Sequence, residues 1–294
     1  MGVNRRDAIR GFLTTRRARV SPEQVGLPGH GDRRVPGLRR EEVAMLADVS
    51  VDYYIRLERG NARGVSDNVL NALSDGLRLS TAERDYLFDL VRSPDDITDA
   101  KDTQPLEEVS HGIRRVLETI GAAPAYVRNA RLDLLAANRL GQALFEPVFK
   151  NPARPANLAR FTFLDPAARQ FFRNWESIAS DYVALLRAEA GRSPADHVLS
   201  ELIGELSADS QAFRSRWPAH NVQASCSGAK EVHHPLVGDL SLTFEALDVA
   251  DQPGLRLNVY TAEPGSPAQN ALDLLASRLA SQDPVNARRA DTAP

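Results

Sequence analysis

The chain has 294 residues, enough for two domains, and its net charge of −3 gives no global sign of a nucleic-acid partner. A single cysteine, Cys226, excludes an intramolecular disulfide and a cysteine metal framework, and no apolar run approaches the length of a membrane span. The charge is uneven, however: residues 1–40 hold ten arginines against three acids, the local excess expected of a DNA-binding arm. The polar N-terminus and the lack of a spanning segment lead us to expect a cytoplasmic protein with no membrane partner.

Residues 7–19 predict a first helix that buries Ile9, Phe12 and Leu13. Residues 20–38 contain Pro22, Gly26, Pro28, Gly29, Gly31, Pro36 and Gly37, too many breakers for a helix. The Arg33-Arg34 pair in this insertion is a candidate for a phosphate or the minor groove, or else part of a plain surface loop. Residues 39–60 then read as two short helices joined by a tight turn. Val43, Ala44, Leu46 and Ala47 form the apolar face of the first, and Tyr54 and Leu57, three apart, that of the second. Between them Asp48 tolerates a left-handed backbone, Val49 plugs the crevice and Ser50 caps the second helix. Such a hinge presents a second helix to a DNA major groove. Ser66-Asp67-Asn68 opens a fourth helix, and Ser80-Thr-Ala-Glu83 is a capping box for a fifth with Tyr86, Leu87, Leu90 and Val91. Five helices make residues 1–92 a self-sufficient all-α bundle.

Residues 93–105 are rich in Asp and Pro and read as a linker. Beyond it we expect a helix over 106–120, a hairpin from 125–128 and 132–136, a helix over 138–145 and a Pro-rich loop over 151–157. Asp165-Pro166 predicts the start of one long helix carrying Phe171, Phe172, Trp175, Ile178, Tyr182, Leu185 and Leu186. Two helices (194–206 and 210–220), three strands (230–234, 240–247 and 255–261) and a helix over 268–280 follow. The expected fold class is therefore α+β. The N-terminal helical domain is joined to a PAS-like regulatory domain, 106–282, with one antiparallel five-strand sheet and a helical insert over one face. Residues 283–294 are read as a disordered tail.

The first domain resembles the Xre-type helix-turn-helix regulators through Arg40, Glu42, Val43, Ala44, Ala47, Val49, Ser50, Leu57, Glu58 and Gly60. It departs from their pattern at Asp48, where Gly is usual, and at Tyr54, where Ile is usual. In the second domain the relevant phrases are Asn174-Trp-Glu, Val183-Ala-Leu-Leu-Arg187, Phe213-x-x-x-Trp217-x-x-His220-x-Val222, His234-Pro-Leu-Val-Gly238 and Tyr260-Thr-Ala-Glu-Pro-Gly-Ser266. They resemble the ligand-binding domain of the MmyB-like transcription regulators. That resemblance, over about residues 5–280, implies a transcription regulator whose PAS-like domain senses a small apolar, fatty-acid-like molecule.

Within the reading helix, Val51 and Asp52 are placed for base edges. Arg56, one turn on, can take a guanine bidentately or pair with Asp52 at i,i+4. Arg40, Ser50, Tyr53, Arg59 and Arg63 suit phosphates, which position a protein without carrying sequence information. One such module offers a small interface, so a homodimer on paired half-sites of double-stranded DNA is expected. Candidate pocket residues are Tyr126, Phe163, Trp175, Tyr182, Phe213, Trp217 and His220, although any single aromatic here can equally be core. His220, His233 and His234 have no carboxylate or Cys at ligand spacing, so no metal or cofactor is implied. Cys226 with His220 or His233 is the only candidate catalytic pair and no catalytic motif supports it, so no enzyme is expected. The alternative reading makes the second domain a dimerisation or protein-interaction module.

Overall fold

A computed structural model describes residues 5–28, 37–92, 108–151, 155–219 and 227–281. Arg33, Arg34, His220, Cys226, the expected linker and the expected tail lie outside the described residues.

The first five helices are α1 (Arg5–Arg19), α2 (Arg40–Leu46), α3 (Val51–Glu58), α4 (Asp67–Gly76) and α5 (Thr81–Arg92). Ile9, Phe12 and Leu13 of α1 meet Val43, Ala44, Tyr54, Leu57, Leu70, Leu73, Leu87 and Leu90 in one buried cluster. The spacing of these residues at three and four is what puts them on inward faces. The insertion expected to be wholly irregular holds one turn of 3-10 helix, Pro22–Val25, closed by Gly26 in a left-handed conformation. Leu38 then returns to α1, its N–H donating to the Arg17 carbonyl at 3.0 Å.

The chain continues with α6 (His111–Thr119), β1 (Ala125–Arg128), β2 (Leu134–Ala137), α7 (Arg139–Leu144), α8 (Glu146–Lys150), α9 (Leu158–Leu164), α10 (Ala168–Phe171) and α11 (Trp175–Arg192). Next come α12 (His197–Asp209), α13 (Gln211–Arg216), a 3-10 turn (Trp217–Ala219), β3 (Ser227–His234), β4 (Gly238–Asp248), β5 (Arg256–Thr261) and α14 (Pro267–Ser281). Helix α6 begins later than periodicity predicts, because the Ser110 hydroxyl accepts from the Ile113 N–H and caps it there. The single long helix predicted from Asp165 is two, α10 and α11. Phe172 forms an antiparallel bridge with Val232, and the Arg173 N–H donates to the Glu231 carbonyl at 3.0 Å. That pairing with β3 takes the backbone out of the helical hydrogen-bond ladder.

All five strands form one antiparallel sheet in the order β2-β1-β5-β4-β3. Register decides which side chains share a face. Tyr126 lies opposite Asn258, and Phe244 opposite Tyr260. These, with Leu242 opposite Lys230, form an inner face. Helix α7 and the turn after it cover it, with Phe145 against both Tyr126 and Tyr260. On the other face Val127 and Leu257 pack with Val109 and Leu117. Strand β4 alternates exposed and buried residues along Asp239–Ala246, so beyond β5 only the inner face is covered.

By compactness the chain divides into two units, Met1–Ala100 with Val183–Ala224, and Lys101–Tyr182 with Ser225–Pro294. The division falls inside α11. The expected helical insert is thereby shared: α7 to α10 belong to the unit that holds the sheet, and α12 and α13 to the unit that holds α1 to α5.

Candidate functional site

In the helical unit, Asp48 adopts the left-handed backbone that the turn requires, with φ of 52°. Val49 is half-buried against the core and the Ser50 hydroxyl accepts from the Tyr53 N–H at 3.1 Å. Tyr54 and Leu57 are buried, so α3 turns Val51, Asp52 and Arg56 outward, and Val51 is 41% exposed. The Arg56 guanidinium lies 5.1 Å over the Tyr53 ring. It does not pair with Asp52, and among the described residues it forms no ion pair. Arg59 caps the C-terminus of α3, and Arg59 and Arg63 are exposed.

Glu58, the motif's acidic residue, is 2% exposed. Its carboxylate accepts from Arg17 Nε at 2.7 Å, from Arg40 and, at 3.3 Å, from the Tyr54 hydroxyl. Burial, then the charge of Glu58, raises the Tyr54 phenol above its ordinary value, so it remains a donor. One carboxylate thus ties α1, α2 and α3 together. Arg40, read from sequence as a phosphate contact, has this ion pair as well, with half of its side chain exposed. The basic excess of the N-terminus is partly structural in the same way: Arg5 Nε donates to the Leu90 carbonyl at 2.7 Å, and Arg16 sits 3.0 Å from Glu83. Glu83 also closes the expected capping box, accepting from the Ser80 N–H at 2.9 Å.

Gly60 explains the last position of the motif. Its φ is 88°, and a Cβ there would stand 2.5 Å from the Arg6 carbonyl oxygen. Only glycine allows α1 to cross so close to the end of α3.

Two of the aromatic candidates fall in this same unit. Phe213 is fully buried and stacks on Trp217 at 5.2 Å, and Arg187 lies 4.2 Å over the other candidate's indole. Four fall in the sheet unit. Phe163 packs edge-on to Trp175, whose Nε1 donates to the Thr162 carbonyl at 3.0 Å. The hydroxyls of Tyr126 and Tyr260 are 2.9 Å apart, and Tyr182 accepts from Lys230 Nζ at 3.3 Å. The structure therefore brings Tyr126 and Tyr182 to one inner face and leaves Phe213 and Trp217 to the helical unit.

The inner face also holds residues that sequence reasoning missed. Lys230 and Arg128 are buried, at 5% and 6% exposure. Burial, reinforced by the charge of Arg128, brings the Lys230 ammonium down to about 8. Alternation in β3 was the available signal, since Lys230, Val232 and His234 share parity and all three are buried. The histidines are otherwise engaged: His233 Nδ1 meets Asp239 at 2.6 Å, and His234 Nε2 lies 3.0 Å from the Ala143 carbonyl. Among the described residues no group of three His, Cys, Asp or Glu could hold a metal ion, and no helix is long and apolar enough to cross a membrane.

Residues 8–87 match a helix-turn-helix domain, and residues 109–275 match the MmyB-like transcription regulator ligand binding domain. No curated protein matches the chain.

Proposed function

We propose, for a chain that belongs to the MmyB-like transcription regulators, that α3 reads operator sequence while the second domain senses a small apolar, fatty-acid-like molecule. The family match makes the protein a DNA-binding transcription regulator with a ligand-binding domain. The observation that carries the finer reading is the outward face of α3. Val51, Asp52 and Arg56 project from a short helix whose opposite face is locked into the core and whose N-terminus is capped by Ser50. Val51 suits a thymine methyl and Arg56 a guanine. Ser50, Tyr53, Arg40, Arg59 and Arg63 flank that face and suit phosphates, and Arg33 and Arg34 remain candidates for the same role. Glu58 fixes the direction of Arg40, which keeps further N–H groups for a phosphate oxygen.

Two half-sites bound by a homodimer would give such a small reading head adequate specificity. Ligand binding in the second domain then changes the population of the DNA-competent state. Tyr126, Phe163, Trp175 and Tyr182 are the candidate walls in the sheet unit, and Phe213, Trp217 and His220 the more remote assignments. A second reading draws support from the edge-to-face packing of Phe171 on Phe145 and on Phe161, with centroids 5.9 and 5.8 Å away. In it the inner face is solid core and the domain serves dimerisation alone. Native mass spectrometry of the purified full chain separates the two. A co-purifying mass of lipid size, whose removal alters affinity for DNA, is the expected result. A ligand-free dimer whose DNA affinity is indifferent to added amphiphiles would leave only the second reading.

A further inference from the structure

The inner face of the sheet carries two buried cations whose hydrogen-bond partners are neutral. Lys230 Nζ has the Tyr182 hydroxyl at 3.3 Å, and Arg128 Nη1 donates to the Asn129 carbonyl at 3.1 Å. Around Lys230 Nζ stand the rings of Phe172, Tyr182, Phe244 and Tyr260, with centroids 5.3–5.8 Å away. Among the described residues neither cation forms an ion pair. Asp181 acts on Lys230 from beyond ion-pair distance, and burial holds its own carboxyl above the ordinary range.

Taking one charge out of water is costly, and taking two of the same sign into one apolar face is more so unless an anion joins them. Cation–π contacts recover part of the cost for Lys230 but leave the net charge unbalanced. The phenols beside it are also donors. Burial keeps Tyr126, Tyr182 and Tyr260 well into their protonated forms at neutral pH, so each carries an O–H. An ammonium and three phenols gather on this face, with Arg128 near enough for its charge to act on Lys230, and no described carboxylate comes within ion-pair distance of either cation.

We propose that this cluster is an anion site that takes the carboxylate of an amphiphilic small molecule, with Lys230 as its counter-ion and the surrounding rings against its apolar body. The proposal rests on the sensor reading above and gives that ligand a head group. A carboxylate suits the place better than a phosphate, because a dianion would lose more hydration among aromatic rings than two cations restore. A neutral ligand would leave both cations unmatched. A metal cation would be repelled by them.

The test uses the full chain stripped of bound lipid, with decanoate as probe and decanol as its uncharged counterpart, followed by calorimetry at about pH 7. The wild-type protein binds decanoate about tenfold or more tightly than decanol, Lys230→Met binds the two alike, and Lys230→Arg keeps the preference. A wild-type protein that binds both equally, or a Lys230→Met protein that retains the full preference, overturns the anion site and leaves the sensor reading standing. Binding of neither probe overturns both. Should Lys230→Met fail to fold, the wild type alone decides. Near pH 9.5 the Lys230 ammonium, brought down to about 8 by burial, is largely neutral. Burial raises the phenols of Tyr126, Tyr182 and Tyr260 and the carboxyl of Asp181 and lowers Arg128, whose guanidinium stays charged as guanidinium groups in proteins do. The preference for decanoate then falls as pH rises, and a preference that stays constant contradicts the proposal.

Discussion

Glu58 in the helical unit and Lys230 with Arg128 in the sheet unit are buried charges with different surroundings. Glu58 is enclosed by Arg17, Arg40 and Tyr54, so its acceptor capacity is used within the protein and its charge is more than matched. Lys230 and Arg128 are buried almost as deeply but meet aromatic faces, a phenol and a carbonyl. Removing one partner of a buried, paired charge is strongly destabilising, whereas a buried charge without an ionic partner is costly as it stands and calls for an explanation. The contrast sets a carboxylate that ties α1, α2 and α3 together against a pair of cations that, in our proposal, a ligand completes.

The strongest way to break the contrast is to remove Glu58. Glu58→Ala leaves two arginines and a buried phenol without their acceptor, and a loss of about 3–5 kcal/mol is expected from the midpoint of urea unfolding. A loss below about 1 kcal/mol would make Glu58 no more structural than Lys230. Gly60→Ala comes next. Its backbone conformation alone costs about 1–3 kcal/mol for a residue with a side chain, and the clash with α1 adds to that. Gly64→Ala sharpens the point, since Gly64 shares a positive φ of 70° but has open space around it. It should lose the backbone cost only, and equal losses at the two glycines would contradict the close approach.

Lys230→Met gives the smallest effect and the opposite sign. In the folded protein Lys230 holds its proton only up to about pH 8, whereas an unfolded chain holds it to about pH 10.4. The unfolded state therefore binds more protons between these limits. The strain of the buried ammonium is fully present below pH 8 and is relieved as pH rises through that window. Ligand-free Lys230→Met should melt at or above the wild type at neutral pH, with the difference shrinking towards pH 10. A mutant that melts well below the wild type at every pH would place Lys230 with Glu58 as a structural charge.

What the sequence made legible was mostly local. The left-handed Asp48, the Ser50 cap and the Ser80–Glu83 box all rest on contacts within a few residues, and all three are found as read. The break before α11 was illegible because its cause is a backbone bond to Glu231, far along the chain. The partners of Glu58 were hidden for the same reason: the motif names Arg40 and Glu58 without saying that they meet. Aromatic content named Tyr126 and Tyr182 together with Phe213 and Trp217 and could not tell that the last two belong to the helical unit. Lys230 was overlooked because lysine suggests solvent, although strand parity with Val232 and His234 placed it inside.

The central claim is that α3 reads base sequence through Arg56 while Arg40 only positions it. Relative affinities of the wild type, Arg56→Ala and Arg40→Ala across a library of operator variants test this most directly. Arg56→Ala should lose about 1–3 kcal/mol of discrimination at one base pair and little elsewhere, whereas Arg40→Ala should weaken every sequence by the same factor. Identical relative losses for both mutants across the library would contradict it.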